Sequence, residues 1–133
     1  MSAAIENNVR SILVVDDDPT LRRSYAIALA RAGHQVQEAP SGEAAVRLCE
    51  QQKFSLLITD MIMPDMDGLE TIRRVRVIQP EIKIIAMSGG GRMEAINYLM
   101  LAVKLGAHRA MQKPFGVSEM QNMVANVFTE PNF

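Results

Sequence analysis

The chain is poor in several things. Its 133 residues include one cysteine, no tryptophan, two tyrosines and four phenylalanines. A single cysteine rules out an internal disulfide and fits a reducing compartment. Net charge is also nearly absent, at −1, so electrostatics give no reason to expect nucleic-acid binding. No apolar run approaches the roughly 20 residues that a membrane helix needs. Met1 to Arg10 lacks the apolar core of a signal peptide. A soluble, cytoplasmic protein that binds neither nucleic acid nor membrane is expected.

What remains is apolar. Hydrophobic residues make up 48% of the chain, enough to exclude disorder and to build one core. The ten methionines are expected mostly as core and helix filler. Cys49 reads as a small apolar helix residue. His34 and His108 are too isolated to suggest metal ligands or a phosphohistidine.

Short β-branched runs alternate with helical segments. Ile12–Val15, Phe54–Thr59 and Ile82–Met87 read as buried parallel strands, His34–Ala39 as a weaker one, and Ala107–Gln112 as the least clear. Asp18-Pro19 opens a first helix as N-cap and first turn, with Leu21, Tyr25, Ala28, Leu29 and Ala32 facing inward up to Gly33. Ser41 starts a second, with Ala44, Ala45, Val46 and Leu48. Asp67 and Glu70 have capping-box spacing before a third, with Leu69, Ile72, Val75 and Ile78 as its stripe, and Pro80 ends it. Met93, Ile96, Met100 and Val103 sit at helical spacing in a fourth. Ser118 and Gln121 cap a fifth, which carries Met120, Val124 and Val127. Asp18, Asp65 and Asp67 are expected as helix caps.

Five strands alternating with five helices predict an α/β fold with a parallel sheet. The doubly wound, flavodoxin-like order 2-1-3-4-5 fits best, because it sets strands 1 and 3 side by side and so gathers Asp16, Asp17 and Asp60 in one crevice. Ser88 and Lys113 fall at the ends of strands 4 and 5. Three converging carboxylates repel one another, and a hard divalent cation such as Mg2+ (or Mn2+) resolves that. One carboxylate can then attack phosphorus while Ser88 and Lys113 contact phosphoryl oxygens.

Four segments carry a resemblance: Val14-Val15-Asp16-Asp17-Asp18-Pro19, Thr59-Asp60-Met61-Ile62-Met63-Pro64-Asp65-Met66-Asp67-Gly68, Met87-Ser88-Gly89 and Gln112-Lys113-Pro114-Phe115. In this order they resemble the receiver domain of bacterial two-component response regulators. The likeness covers residues 10–128, leaving a short extension at 1–9 and a tail at 129–133. It implies Asp60 as phosphoacceptor, loaded by a sensor histidine kinase or a histidine phosphotransfer protein. It implies Asp17 as a direct metal ligand, Asp16 as one directly or through water, and the Ile62 carbonyl and Asp60 as further ligands. Ser88 would be the switch hydroxyl and Lys113 a phosphoryl contact, with a cis Lys113-Pro114 peptide. A stand-alone receiver would signal by protein contact, to a target on the face of helix 4, strand 5 and helix 5. It would not be a metabolic enzyme. Met93, Met100, Met120 and Met123 lie beside that face, where core packing is the expectation for them.

Two departures stand out. The family's aromatic residue three positions before the lysine is here Ala110. Three glycines, Gly89 to Gly91, follow Ser88, so this loop is expected to carry the change that a side-chain gate carries elsewhere. Two other readings compete. One is a receiver-fold binding module that acts without phosphorylation. The other is a small haloacid-dehalogenase-like phosphatase, because Asp16-Asp17-Asp18-Pro19-Thr20 fits the Asp-x-Asp-x-Thr pattern with Asp16 as nucleophile. Those enzymes need a late acidic cluster, yet only Glu119 and Glu130 follow Lys113, and Asp60 is left unexplained.

The family that this chain resembles commonly tunes dephosphorylation from the positions two residues after the phosphoacceptor and after the switch hydroxyl; here they are Ile62 and Gly90, neither of which can orient an attacking water. The phosphorylated form should therefore lose its phosphoryl group slowly. Ile62→Asn should shorten its lifetime, followed as the decay of the phosphorylated mass after the donor is removed; an unchanged lifetime counts against this role.

Overall fold

The computed structural model describes residues 9–89 and 93–129. The strands are β1 (Ser11–Val15), β2 (Gln35–Ala39), β3 (Leu56–Asp60), β4 (Lys83–Gly89) and β5 (Arg109–Lys113). The helices are α1 (Pro19–Arg31), α2 (Gly42–Gln51), α3 (Gly68–Ile78), α4 (Met93–Lys104) and α5 (Val117–Thr129). All strand pairs are parallel, in the order β2-β1-β3-β4-β5. The expected fold is thus the observed one.

Side-chain alternation along each strand divides the core in two. Leu13, Val15, Leu57, Ile84 and Ala86 pack with Ala45 and Cys49 of α2, Ile72 and Val75 of α3, and Leu99 and Ala102 of α4. Ile12, Val14, Leu56, Ile58, Ile85 and Met87 pack on the other side with Tyr25, Ala28 and Leu29 of α1 and Met120, Val124 and Val127 of α5. Both faces are covered, which is why the central strands read as continuous apolar runs. Among the described residues no helix is long and apolar enough to cross a membrane.

The local signals hold at most helix ends. Asp18 accepts from the Thr20 and Leu21 amides, Ser41 from Ala44 and Asp67 from Glu70. Gly33, at φ +98°, follows the end of α1. Both histidines are structural: His34 Nδ1 accepts from the Arg10 amide and His108 Nδ1 from that of Ile84.

Several expectations are corrected. Leu21 is exposed, because the first turn of α1 rises beyond the strand ends, and Ala32, at the C-cap, is exposed as well. On α4 the buried stripe is Leu99 and Ala102; Met100 (59% exposed) and Val103 face outward, because alternative apolar stripes overlap on a helix this hydrophobic. Met120 is buried and Met123 half-buried, while the side chains of Met93 and Ile96 lie outside the description. The last helix begins at Val117, where Glu119 accepts from the Gly116 amide; Gln121 instead reaches the Ala28 carbonyl. Asp65 is no cap but a turn residue at φ +70°. Glu70 does not close the capping box, because Arg73 and Arg74 hold its carboxylate. The strand read at 107–112 runs from Arg109 to Lys113, and β4 continues through Ser88 and Gly89, where Ser88 pairs with Gln112. Gly90 and Gly91 lie outside the described residues.

The start of α3 is pressed against the end of β3. A Cβ on Gly68 would lie 2.6 Å from the Asp60 carbonyl oxygen and 2.6 Å from Met61 Cα, whereas one on Gly89 would meet nothing within 4 Å. Gly68→Ala should therefore cost about 1–3 kcal/mol in urea unfolding, and Gly89→Ala less than about 0.5. Equal midpoints for the two variants would overturn this account of the close approach.

Candidate functional site

Register brings the predicted residues together. Val15 pairs with Thr59, so Asp16 and Asp60 follow side by side at the carboxyl ends of β1 and β3. Asp60 pairs with Met87, which puts Ser88 one residue further along β4, and Lys113 pairs with Gly89 at the end of β5. Carboxylate oxygens of Asp16, Asp17 and Asp60 lie within 4.8 Å of one another. Asp16 and Asp60 are buried, at 1% and 7% exposure, while Asp17 is open to solvent. Lys113 Nζ lies 2.9 Å from Asp16 Oδ2 and 3.3 Å from Asp60 Oδ1. The Lys113-Pro114 peptide is cis.

These contacts set the charge states. Burial pushes the Asp60 carboxyl up to about 6; Lys113 opposes the shift, and Asp16 and Asp17 add to it. Burial works against the Lys113 ammonium, but its hydrogen bond to Asp16 and the attraction of Asp60 and Asp16 hold its pKa above the ordinary lysine value. Both carboxylate oxygens of Asp16 are already engaged, Oδ2 by Lys113 and Oδ1 by the Asp18 amide at 3.0 Å, which fixes the group while leaving it further lone pairs. That suits a fixed ligand and not a nucleophile. Ser88 is the converse: fully buried, with a hydroxyl that has no hydrogen-bond partner among the described residues. Such a group costs on the order of 1–3 kcal/mol, so it is poised for an acceptor.

The Met63-to-Gly68 turn follows directly from these constraints. Met63 and Met66 are buried beneath it, the Met66 amide donates to Pro64, and Gly68 donates to the Met61 carbonyl at 2.9 Å. Ile62 stands half-exposed between Met61 and the turn. Ala110 pairs with Ala86 and packs against the α2–α4 core as a small residue.

Two site neighbours escaped the sequence reading. Tyr25 was seen only as an inward helix residue, yet its ring stacks on Phe115 at 5.4 Å, beside the turn that carries Lys113. Burial raises its hydroxyl pKa, Lys113 lowers it, and Asp16, Asp60 and Asp18 raise it further. Arg22 was not singled out, yet it reaches the Asp16 carbonyl at 2.9 Å. A signal existed: Asp18 sets where α1 begins, and side chains one to two turns in lean back toward the N-terminus, over the end of β1.

Residues 12–125 match the response regulator receiver domain family. The chain is 34% identical over 116 residues to the response regulator receiver protein CpdR of Brucella abortus, with 87% of this chain and 94% of the relative covered. It is 38% identical over 117 residues to the DNA-binding transcriptional regulator NtrC of Azospirillum brasilense. There it covers 86% of itself but only 23% of the relative, so it spans about a quarter of that regulator's length. A crystal structure of a response regulator receiver domain protein from Clostridium thermocellum superposes with a TM-score of 0.81 at 28% identity, covering 89% of this chain and 93% of the other. Fold, strand-end constellation and family match agree, and the chain belongs to the response regulator receiver domains.

Proposed function

We propose that Asp60 accepts a phosphoryl group from a phosphohistidine on a sensor histidine kinase or a histidine phosphotransfer protein, in a phosphorelay. The observation that carries this reading is the placing of Asp60: a buried carboxylate 3.3 Å from Lys113 Nζ and within 4.8 Å of two further carboxylates. An Asp60 oxygen attacks phosphorus, the phosphorus–nitrogen bond breaks, and Lys113 faces the added negative charge. Ser88, on the neighbouring strand, has a hydroxyl free to donate to it. The three carboxylates form an all-oxygen cluster that fits Mg2+ (or Mn2+), and the Ile62 carbonyl would add a further oxygen ligand. Asp17 would hold the ion directly, Asp16 directly or through water, with Asp60 completing the carboxylates. When bound, such a cation offsets the charge of carboxylates and phosphoryl oxygens.

The receiver is placed at residues 10–128, between a short extension and a tail, and in the cytoplasm. It acts by protein contact and not as a metabolic enzyme. Its target face is α4–β5–α5, supported by the outward Met100, Leu101, Val103 and Leu105. The rival that deserves a test is the binding module that never takes phosphate. The phosphatase reading has nothing in its favour, since Asp16 is the most committed carboxylate of the three.

Incubation with acetyl phosphate and Mg2+ should add one phosphoryl mass to the wild type and none to Asp60→Asn. A gain surviving in Asp60→Asn would move the acceptor elsewhere, and no gain from either donor or kinase would favour the unphosphorylated module.

The raised pKa of Asp60 makes a second prediction. The folded chain holds this proton up to about pH 6, whereas the unfolded chain releases it near 3.8. The folded state therefore binds more protons in that window, and stability falls as pH rises through it. Without metal, Asp60→Asn should be more stable than wild type at pH 7.5, by on the order of 1–3 kcal/mol in urea unfolding. The gain should shrink as pH falls from 6 toward 4. A difference that stays constant over that range would contradict the shift.

A further inference from the structure

We infer that Arg22 is a positioning residue for the metal-binding carboxylates: it holds the peptide group that joins Asp16 to Asp17, and Glu38 holds Arg22. The inference rests on the reading of Asp16, Asp17 and Asp60 as a Mg2+ site.

Arg22 Nη1 donates to the Asp16 carbonyl at 2.9 Å, and Nε donates to Glu38 Oε1 at 3.0 Å. The second Glu38 oxygen lies 2.8 Å from Arg23 Nε. The Arg22 and Glu38 side chains are 16% and 20% exposed, against 69% for Arg23, so the inner pair is sheltered and the outer one is not. Glu38 stands on β2 opposite Val14, and its neighbour Ala39 accepts the Asp16 amide at 3.3 Å.

The contacts account for every polar atom of Asp16. Its amide is bound to β2, its carbonyl to Arg22, one carboxylate oxygen to the Asp18 amide and the other to Lys113. This matters because β1 ends at Val15. Beyond that point the ladder no longer fixes the carbonyl, and rotation of the Asp16–Asp17 peptide would swing the Asp17 carboxylate, which is exposed. A planar guanidinium gripping the carbonyl and Glu38 at once blocks that rotation. An ammonium cannot span both contacts with the same fixed fork. Groups that orient metal ligands from outside typically affect metal affinity by 10–100-fold.

The sign of the effect separates positioning from charge. Arg22 is a cation near a cation site, so by long-range electrostatics its loss would tighten Mg2+ binding. Loss of positioning would weaken it. Arg23 supplies the control, because it shares Glu38 but is not the side chain bonded to the Asp16 carbonyl.

The test is a Mg2+ titration of the full, unphosphorylated chain, followed by amide chemical shifts, for wild type, Arg22→Met, Arg22→Lys, Arg23→Met and Asp17→Asn. Arg22→Met should bind Mg2+ about tenfold more weakly. Arg22→Lys, which keeps the charge, should lose at least about threefold. Arg23→Met should match wild type or bind slightly more tightly. A purely structural role would lower metal-free stability and leave the Mg2+ affinity of the folded protein unchanged. If Arg22→Met does not fold, Arg22→Lys decides. Smaller losses in the Arg22 variants, or an equal loss in Arg23→Met, overturn the inference. If wild type fails to bind Mg2+, or Asp17→Asn binds as well as wild type, the metal-site reading itself fails and the inference falls with it.

Discussion

A half-buried lysine held between two buried aspartates governs this structure. Lys113 Nζ contacts both Asp16 and Asp60, which sit at the ends of adjacent strands. Burying any of these charges alone would cost several kcal/mol. The ammonium offsets only part of the carboxylate charge, because Asp17 stands next to the pair and Asp60 remains hard to ionise. The arrangement therefore keeps an excess of negative charge in a crevice that water enters from one side. That excess suits a hard cation, and the lysine suits an incoming anion. One constellation thus favours both kinds of ligand, each answering a different part of its charge.

The remainder of the fold serves to hold that geometry. Asp16 is fixed from four directions by β2, α1, the Asp18 turn and β5. Asp60 is fixed from below, where the close approach of Gly68 leaves no space for another side chain. Ser88 is the exception, since it is positioned by the β4–β5 ladder yet its hydroxyl has no partner among the described residues. A group that costs energy at rest and would gain a partner if Asp60 took a phosphoryl group would bias a two-state equilibrium. With Ala110 in place of an aromatic, that position of β5 offers no large side chain to follow such a change. The Tyr25–Phe115 stack sits on the opposite side of Lys113 and ties α1 to the turn before α5.

The sheet was readable because both of its faces are covered, which makes the central strands apolar throughout, and because Asp18, Ser41 and Asp67 cap their helices by local chemistry. The carboxylates were readable because they end those runs. Where reading along the chain failed, the cause was tertiary. The stripe on α4 could not be chosen among overlapping apolar sets, since only the sheet decides that Leu99 and Ala102 point inward. Ser118 resembled a cap by residue type, but Glu119 reached the Gly116 amide first. Arg22 looked like one of many surface cations. Its role depends on Glu38, a strand residue 16 positions away that only the β1–β2 register brings beneath it.

The same register explains why input and output can be separated. The groups that fix Asp16 reach it from β2 and α1 on one side of the crevice, and from β5, through Lys113, across it. Ser88 and Lys113, the groups that can answer a phosphoryl oxygen, belong to β4 and β5 on the other. Each of these strands leads into the helix that follows it, α4 or α5, while Lys113 also touches Asp16. Under the proposed function, a phosphoryl group on Asp60 would meet Ser88 and Lys113 first, and both lie on the side that leads into α4 and α5. The exposed apolar residues Met100, Leu101, Val103 and Leu105 lie on or just beyond α4, in the half that carries Ser88 and Lys113. A protein partner reading that surface would sense the charge at Asp60 without approaching the carboxylate itself.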